Sequence, residues 1–361
     1  MALLVVLAVI SVLVVSGIEL ARRTGQSAMV SGQEADRFMA KEQAMAGLHL
    51  AMAILVEDAA TTEVDSLQEE WARPEKLSIA VEAMGVEPDN LVLEISDELG
   101  KLQVNALIKD HPGRESNPDH YQIWERFFGP MAEDEQALVN CIQDWIDTRD
   151  DEAVTGISGA ESDYYLSLDP PYTCTNGPFT HISELFLVKG ITRSLFDGST
   201  INSEDIEVKP ENPTGSSNIV PEELITVHGI LTDDSTQEKY QFSGRVNINT
   251  APEAVLRALL PEEAQDFARD LVSYREERSD DDSDFFTNTL DKGWVTQVIE
   301  LPQNQKQAFD RSIRYDSTLF RVRVQSKVNQ AQIRISGLVL REQDSLSGKW
   351  SCRLTQVAED T

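Results

Sequence analysis

The chain has 361 residues, with 62 acidic against 31 basic side chains and a net charge of −31. That length allows a terminal anchor plus one large domain, or about two to three small ones. The carboxylate excess excludes a protein built to hold nucleic acid, whose phosphates reward Lys and Arg, and one that clings to anionic lipid. It suits solvation, basic partners or divalent cations.

Met1 to Ile18 (MALLVVLAVISVLVVSGI) carry no charge, and polarity begins at Glu19. A secretory signal places basic residues ahead of a shorter apolar run, so the chain reads as already processed at its start. About 20 apolar residues cross a bilayer as a helix, and this segment is just long enough. Arg22 and Arg23 follow it and on charge alone favour a cytoplasmic remainder. From Glu19 to Asp58 there is no proline, and Ala28, Ala35, Phe38, Met45, Leu48, Met52 and Leu55 fall three, four or seven apart. This is a helical stalk with an apolar stripe. Unbroken, residues 1–58 form a helix roughly 85 Å long at ~1.5 Å per residue.

Beyond the stalk, Leu91 to Ile95 and Lys101 to Val104 read as a strand pair, or a strand and a turn. From about His111 to Arg314 the pattern is helical, with strand hints near Glu223 to Ile230. At the far end, Leu319 to Val328, Ala331 to Arg341 and Lys349 to Val357 alternate with period two, predicting an antiparallel sheet with one buried face. An α pattern bracketed by β pattern predicts a domain inserted between strands.

Within that middle, Asp144 and Asp147 fall three apart near a helix end. Asp150, Asp151 and Glu152 follow, and Glu161 and Asp163 return after Gly156 and Gly159. Such a loop is either a solvated acidic segment or a set of oxygen donors for a hard cation such as calcium. A second acidic run, Asp280 to Asp284, reads as a loop first, with a second ion site as the alternative. In residues 246–278, Thr250 is a candidate helix N-cap, with Pro252 in the first turn and a second helix from about Glu262 to Arg275. This resembles a helix-hairpin-helix unit, but the LLPEEA connection has no glycine and carries Glu262 and Glu263, so packing rather than phosphate binding is expected. Cys141, Cys174 and Cys352 lack metal-site spacing. In an oxidising compartment one disulfide, in any of the three pairings, is plausible. His49, His111, His120, His181 and His228 are scattered and match no catalytic signature, so no enzyme is expected.

An apolar first helix continuing as a stalk resembles type IV pilins and type II secretion pseudopilins. VDSLQEEWARP (64–74), LEISDELGKLQVNAL (93–107), DWID (144–147), GAESDYY (159–165), SELFLVKGI (183–191) and VNINTAP (246–252) occur in an order similar to the general secretion pathway protein K family of minor pseudopilins. Val5 stands where major pilins carry a glutamate. That glutamate is thought to pair with a neighbour's N-terminal ammonium, and a subunit with no neighbour ahead of it can lose the carboxylate.

The resemblance implies an α+β fold: a long transmembrane and stalk helix (1–58), a pilin-like body (59–110 and 315–361) with a small antiparallel sheet, and a mainly helical inserted domain (111–314) with helix-hairpin-helix or SAM-like units. It implies a pseudopilus-tip subunit anchored once in the bacterial inner membrane, with its C-terminal domain in the periplasm. Its implied partners are minor pseudopilins of the I and J classes, with the H class as a further candidate, and a prepilin peptidase that leaves a methylated N-terminus. The expected contact residues are Val5, Ala35, Phe38, Met45 and Met52. It also implies a structural calcium in the helical domain, with Asp147, Asp150, Asp151, Glu161 and Asp163 as the expected ligands. The alternative from another class is a membrane-tethered helix-hairpin-helix DNA-binding protein of a competence or type IV pilus system, which should show a basic stripe near residues 246–278.

Overall fold

A computed structural model describes residues 2–148, 154–196, 221–234, 239–279 and 285–360. The chain opens with helix α1 (Ala2–Thr61), which runs unbroken because no proline interrupts it. Among the described residues it is the one helix long and apolar enough to cross a membrane, and none of its apolar window is buried. Only the second half packs: Ala40, Ala44, Leu48, Ala51 and Leu55 are fully buried at helical spacing.

Helix α2 (Pro74–Ala83) and strand β1 (Leu91–Asp97) follow. The next segment carries β2 (Leu102–Gln103), α3 (Pro118–Phe128), α4 (Glu135–Ile146), α5 (Ser162–Leu166), α6 (Pro221–Leu224) and β3 (Ile225–Thr226). It continues through β4 (Leu231–Asp234), β5 (Lys239–Phe242), β6 (Val246–Asn247), α7 (Glu253–Leu259), α8 (Phe267–Glu276), α9 (Gln303–Ser312) and β7 (Ile313–Arg314). The chain then returns as β8 (Leu319–Val328), β9 (Ala331–Gln343) and β10 (Trp350–Asp360).

These last strands complete a four-stranded antiparallel sheet of order β1-β8-β9-β10. The β8–β9 hairpin turns at Asn329 and Gln330, with Asn329 at φ 51°, a left-handed conformation that asparagine tolerates better than most residues. Everything between β1 and β8 is therefore an insertion into one sheet. Of the two readings of its start, the strand and turn fits: β1 runs into a helical turn at Glu98–Gly100, and Leu102 and Gln103 pair in parallel with Ile225 and Thr226, not with β1. A two-residue strand whose partner lies more than a hundred positions away leaves no local signal.

Among the described residues two main cores result, with a small third cluster of Leu99, Leu319 and Leu338. One lies between α1 and the sheet, where Leu91, Leu93, Val322, Val324, Ile335 and Val339 meet the buried stripe and Trp71 stands edge-on to Phe320 at 5.2 Å. There α1 comes so close that a Cβ on Gly47 would lie 2.9 Å from Leu93 and 3.0 Å from Val324. The other fills the insertion around Trp124, Phe127, Phe128, Trp145 and Tyr165. No disulfide joins Cys141, Cys174 and Cys352.

The cores are joined by buried polar side chains. Arg341 on β9, 4% exposed, donates to the Leu55 carbonyl at 3.1 Å and Asp58 at 3.0 Å, both on α1, to both oxygens of Asp65 at 2.5 and 2.6 Å, and to the Ser317 carbonyl at 2.7 Å. Asp97, at the end of β1, accepts from the Asn247 amide, the Thr250 hydroxyl, the Ser317 hydroxyl and its own Leu99 N–H. Asn247 also donates to the Asp65 carbonyl at 2.9 Å. The VNINTAP segment is thus the strap tying insertion to body. Thr250 accordingly does not cap a helix: Pro252 precedes α7, and the threonine hydroxyl is given to Asp97.

Removing the guanidinium should leave Asp65 buried without a counter-charge beside half-buried Asp58, which costs about 3–5 kcal/mol. Arg341→Met is expected to destabilise the head by that amount in urea denaturation, whereas Arg353→Met, whose side chain is 62% exposed beside Glu342, should change it by less than about 1 kcal/mol.

Candidate functional site

Two features carry candidate chemistry: the flank of α1 and a carboxylate group in the insertion. On α1, Val5 is 63% and Phe38 65% exposed, and Ala35 is exposed as well. Met45 and Met52 are half-buried against the body core. The helix therefore has two apolar sectors, one spent on its own sheet and one facing outward, with the two methionines between them.

The carboxylate group forms at the end of α4. That helix is N-capped by the Asp134 side chain, which accepts from the Ala137 N–H at 3.0 Å, and it buries Val139, Ile142 and Trp145. Asp144 is fully buried, and its two oxygens accept from the Thr155 N–H at 2.9 Å and the Ala160 N–H at 2.7 Å. The loop closes onto this carboxylate only because residue 159 is glycine, where a Cβ would lie 2.0 Å from the Asp144 oxygen. Asp147 and Glu161, 7% and 5% exposed, complete the group, with one oxygen of each residue within 4.8 Å of the others. Burial pushes the Asp144 carboxyl above the usual aspartate range, against hydrogen bonds from Thr155 and Ala160 and the charge of Lys189.

Of the expected ligands, then, Asp147 and Glu161 are brought together. Asp163 is exposed on α5 and lies outside the group, because α5 starts after Glu161 and turns it to solvent. Asp150 and Asp151 lie outside the described residues. Asp144 takes a place the expected set did not give it. Its spacing from Asp147 was the available signal, and its role as acceptor for the returning loop was not visible locally. Three buried carboxylate oxygens this close repel one another unless protons or a cation balance them, so the donor set fits a hard oxygen-seeking divalent ion.

A second carboxylate group, Asp58, Asp65 and Glu69, meets around Arg341. Burial followed by the charges of Glu69 and Asp65 pushes Asp58 up to about 8, against the pull of Arg341. Here the protein supplies its own cation, and the group is structural.

The α7–α8 unit contributes packing. Arg275 on α8, 3% exposed, donates to the Ile248 and Ala251 carbonyls at 2.9 and 2.7 Å, and Trp294 donates to Asn249 at 2.8 Å. A groove of about 890 Å³ runs between α3, the α7–α8 connection and α9. Glu125, Glu135, Glu262 and Glu263 line it against Arg126, a sign opposite to what phosphate needs.

The chain matches two models described as type II secretion system protein K, over residues 100–198 and 246–298. It is 31% identical over 197 residues to the type II secretion system protein K of Pseudomonas aeruginosa, covering 52% of this chain and 56% of that protein. It is 26% identical to that of Pectobacterium carotovorum, covering 54% and 59%, and 29% identical to that of Aeromonas hydrophila, covering 54% and 60%. The chain thus spans little more than half the length of the curated relatives it matches. In fold it resembles a chain of the crystal structure of the GspK-GspI-GspJ complex from the enterotoxigenic Escherichia coli type 2 secretion system, with a TM-score of 0.59 at 18% identity, over 92% of this chain and 99% of that one.

Because both Asp144 oxygens accept N–H groups, Asp144→Asn places an amide donor against a backbone donor, a mismatch worth about 1–3 kcal/mol. With chelator present, so that no ion contributes, the variant head should lose that much stability in urea denaturation. Asp163→Asn, on an exposed site, should stay within about 0.5 kcal/mol of the parent.

Proposed function

This chain is a relative of the type II secretion system protein K through residues 100–198 and 246–298, and from that premise we propose that it is a minor pseudopilin at the tip of a periplasmic pseudopilus. The observation that carries the reading is α1 itself: one helix of 60 residues, unburied along its apolar first part and packed on a four-stranded sheet along its second. The first part waits in the inner membrane with the C-terminal domain in the periplasm, and a prepilin peptidase is its processing partner. Assembly brings the outward sector of α1, with Ala35, Phe38 and Val5, against the helices of I- and J-class minor pseudopilins, with the H class next in the stack. The insertion between β1 and β8 gives the head a bulk that a lateral position would press into subunits above, so the tip is the place that accommodates it. Val5 leaves no carboxylate in the membrane in search of an ammonium partner ahead.

The insertion contributes shape and rigidity, and the chain is assigned no catalytic step. Asp144, Asp147 and Glu161 would hold a calcium ion, with Asp150 and Asp151 as further donors from the adjoining segment. The ion would supply positive charge where the fold concentrates carboxylates. A membrane-tethered DNA-binding role finds the wrong charge at the α7–α8 connection, where Glu262 and Glu263 are exposed.

Full-length chain co-expressed with the I- and J-class pseudopilins of its own system should co-purify with both from detergent-solubilised inner membrane. Recovery of the chain without either partner would contradict the reading. Separately, excess calcium should raise the melting temperature of the head over its value in chelator, since an ion at ~100 times its Kd adds about 2.7 kcal/mol to a state that alone binds it. Superimposable melting curves would remove calcium and leave the assembly role standing.

A further inference from the structure

Strand β10 is an edge of the sheet, and its outward N–H and C=O groups bond to no described residue. Its two halves differ. Trp350 to Leu354 alternates between half-buried and exposed, as a strand covered on one face should. A register shift then falls between Leu354 and Gln356, and from Thr355 to Glu359 every residue is exposed on both faces, Val357 at 46%. Natural sheets shorten, charge or cover such an edge. This one carries a register shift at its start and the charged Glu359 near its end, but the stretch between them, Gln356 to Ala358, is left open with apolar Val357 in the middle.

The open half lies beside the outward sector of α1. Gln43 donates to the Asn90 carbonyl ahead of β1, which fixes one flank of the helix, and Arg37 and Lys41 pair with Glu359, which fixes the opposite flank at β10. At about 100° per residue, moving round the helix from buried Leu48 toward β10 meets Lys41, Met52, Met45 and Phe38 in turn. The strand edge and the exposed Phe38 flank are therefore one continuous surface, and it runs down α1 into the unburied apolar segment.

We infer that this surface docks a second membrane-anchored protein of the same helix-on-sheet architecture, which adds a strand along Gln356 to Asp360 while its helix packs on Phe38. The occupant is a different protein rather than a second copy. Leu354 packs near Leu48 and Glu359 near Lys41, so β10 runs antiparallel to α1. Two copies paired antiparallel through β10 about a two-fold axis would point their apolar helices in opposite directions, and a parallel pair would put them on opposite faces of the joined sheet. A head-to-tail pairing of identical chains would propagate without closing. This inference rests on the minor-pseudopilin reading and assigns the surface through which it operates.

Amide hydrogen exchange on full-length chain in detergent, alone and in complex with the I- and J-class pseudopilins, tests it. Residues 356–360 should exchange quickly in the chain alone and about tenfold or more slowly in the complex. Val357→Lys, with an unchanged melting temperature, should weaken the complex about tenfold. A complex that forms with unaltered exchange at 356–360, or that tolerates Val357→Lys, would overturn this surface and leave the minor-pseudopilin reading intact. Slow exchange in the chain alone at monomer concentration would mean its own segment covers the edge, and concentration-dependent slowing would mean a second copy does. Either overturns the inference, and failure of any complex to form removes both readings together.

Discussion

A guanidinium buried to 4% exposure persists only where its charge is answered, and Arg341 collects partners from four places, although its Nε finds no hydrogen-bond acceptor among the described residues. Leu55 and Asp58 come from the end of α1, Asp65 from the loop after it, Ser317 from the approach to β8, and Phe320 from the sheet, its ring centroid 4.9 Å from the guanidinium carbon. The same interaction fixes where the helix ends against the sheet and where the insertion returns. Ser317 and Asn247 carry the constraint onward to Asp97, so the strap of the insertion and the anchor of the stalk are held by one connected set of side chains. The buried network holds the head on its helix without a disulfide.

This arrangement divides the work. The body uses one sector of α1 and leaves the other outward. The insertion builds its own core around Trp124 and Trp145 and presents an acidic exterior. Its carboxylate group at Asp144 differs from the one at Arg341: the latter encloses a guanidinium of the chain, whereas the former has only the more distant charge of Lys189 and is the place proposed for an ion.

Much of this was legible in the sequence where the signal is local. Period-two alternation found β8, β9 and β10 to within a few residues, and the proline-free periodic stretch found α1 nearly to its end. The stripe on α1 was legible too, but periodicity cannot say which apolar residues face the chain's own sheet. Leu48 and Leu55 went inside, Phe38 stayed out, and Met45 and Met52 fell between. Signals failed where tertiary partners overrode local preference: Thr250 gave its hydroxyl to Asp97 instead of a helix, and Leu102 found a partner at Ile225. The Arg341–Asp65 pair joins residues 276 positions apart, and nothing near either one announces it. In the carboxylate group, Asp147 and Glu161 were read from composition and resemblance, while Asp144 was passed over because its part depends on a loop folding back at Gly159.

In the proposed role position is decisive: a chain with this helix and this head would end a filament and not repeat along it. Electron microscopy of assembled pseudopili carrying an epitope tag on the insertion of this chain, decorated with gold-labelled antibody, reads that position directly. The account predicts label at a single end of each filament. Label spaced regularly along the shaft would contradict it.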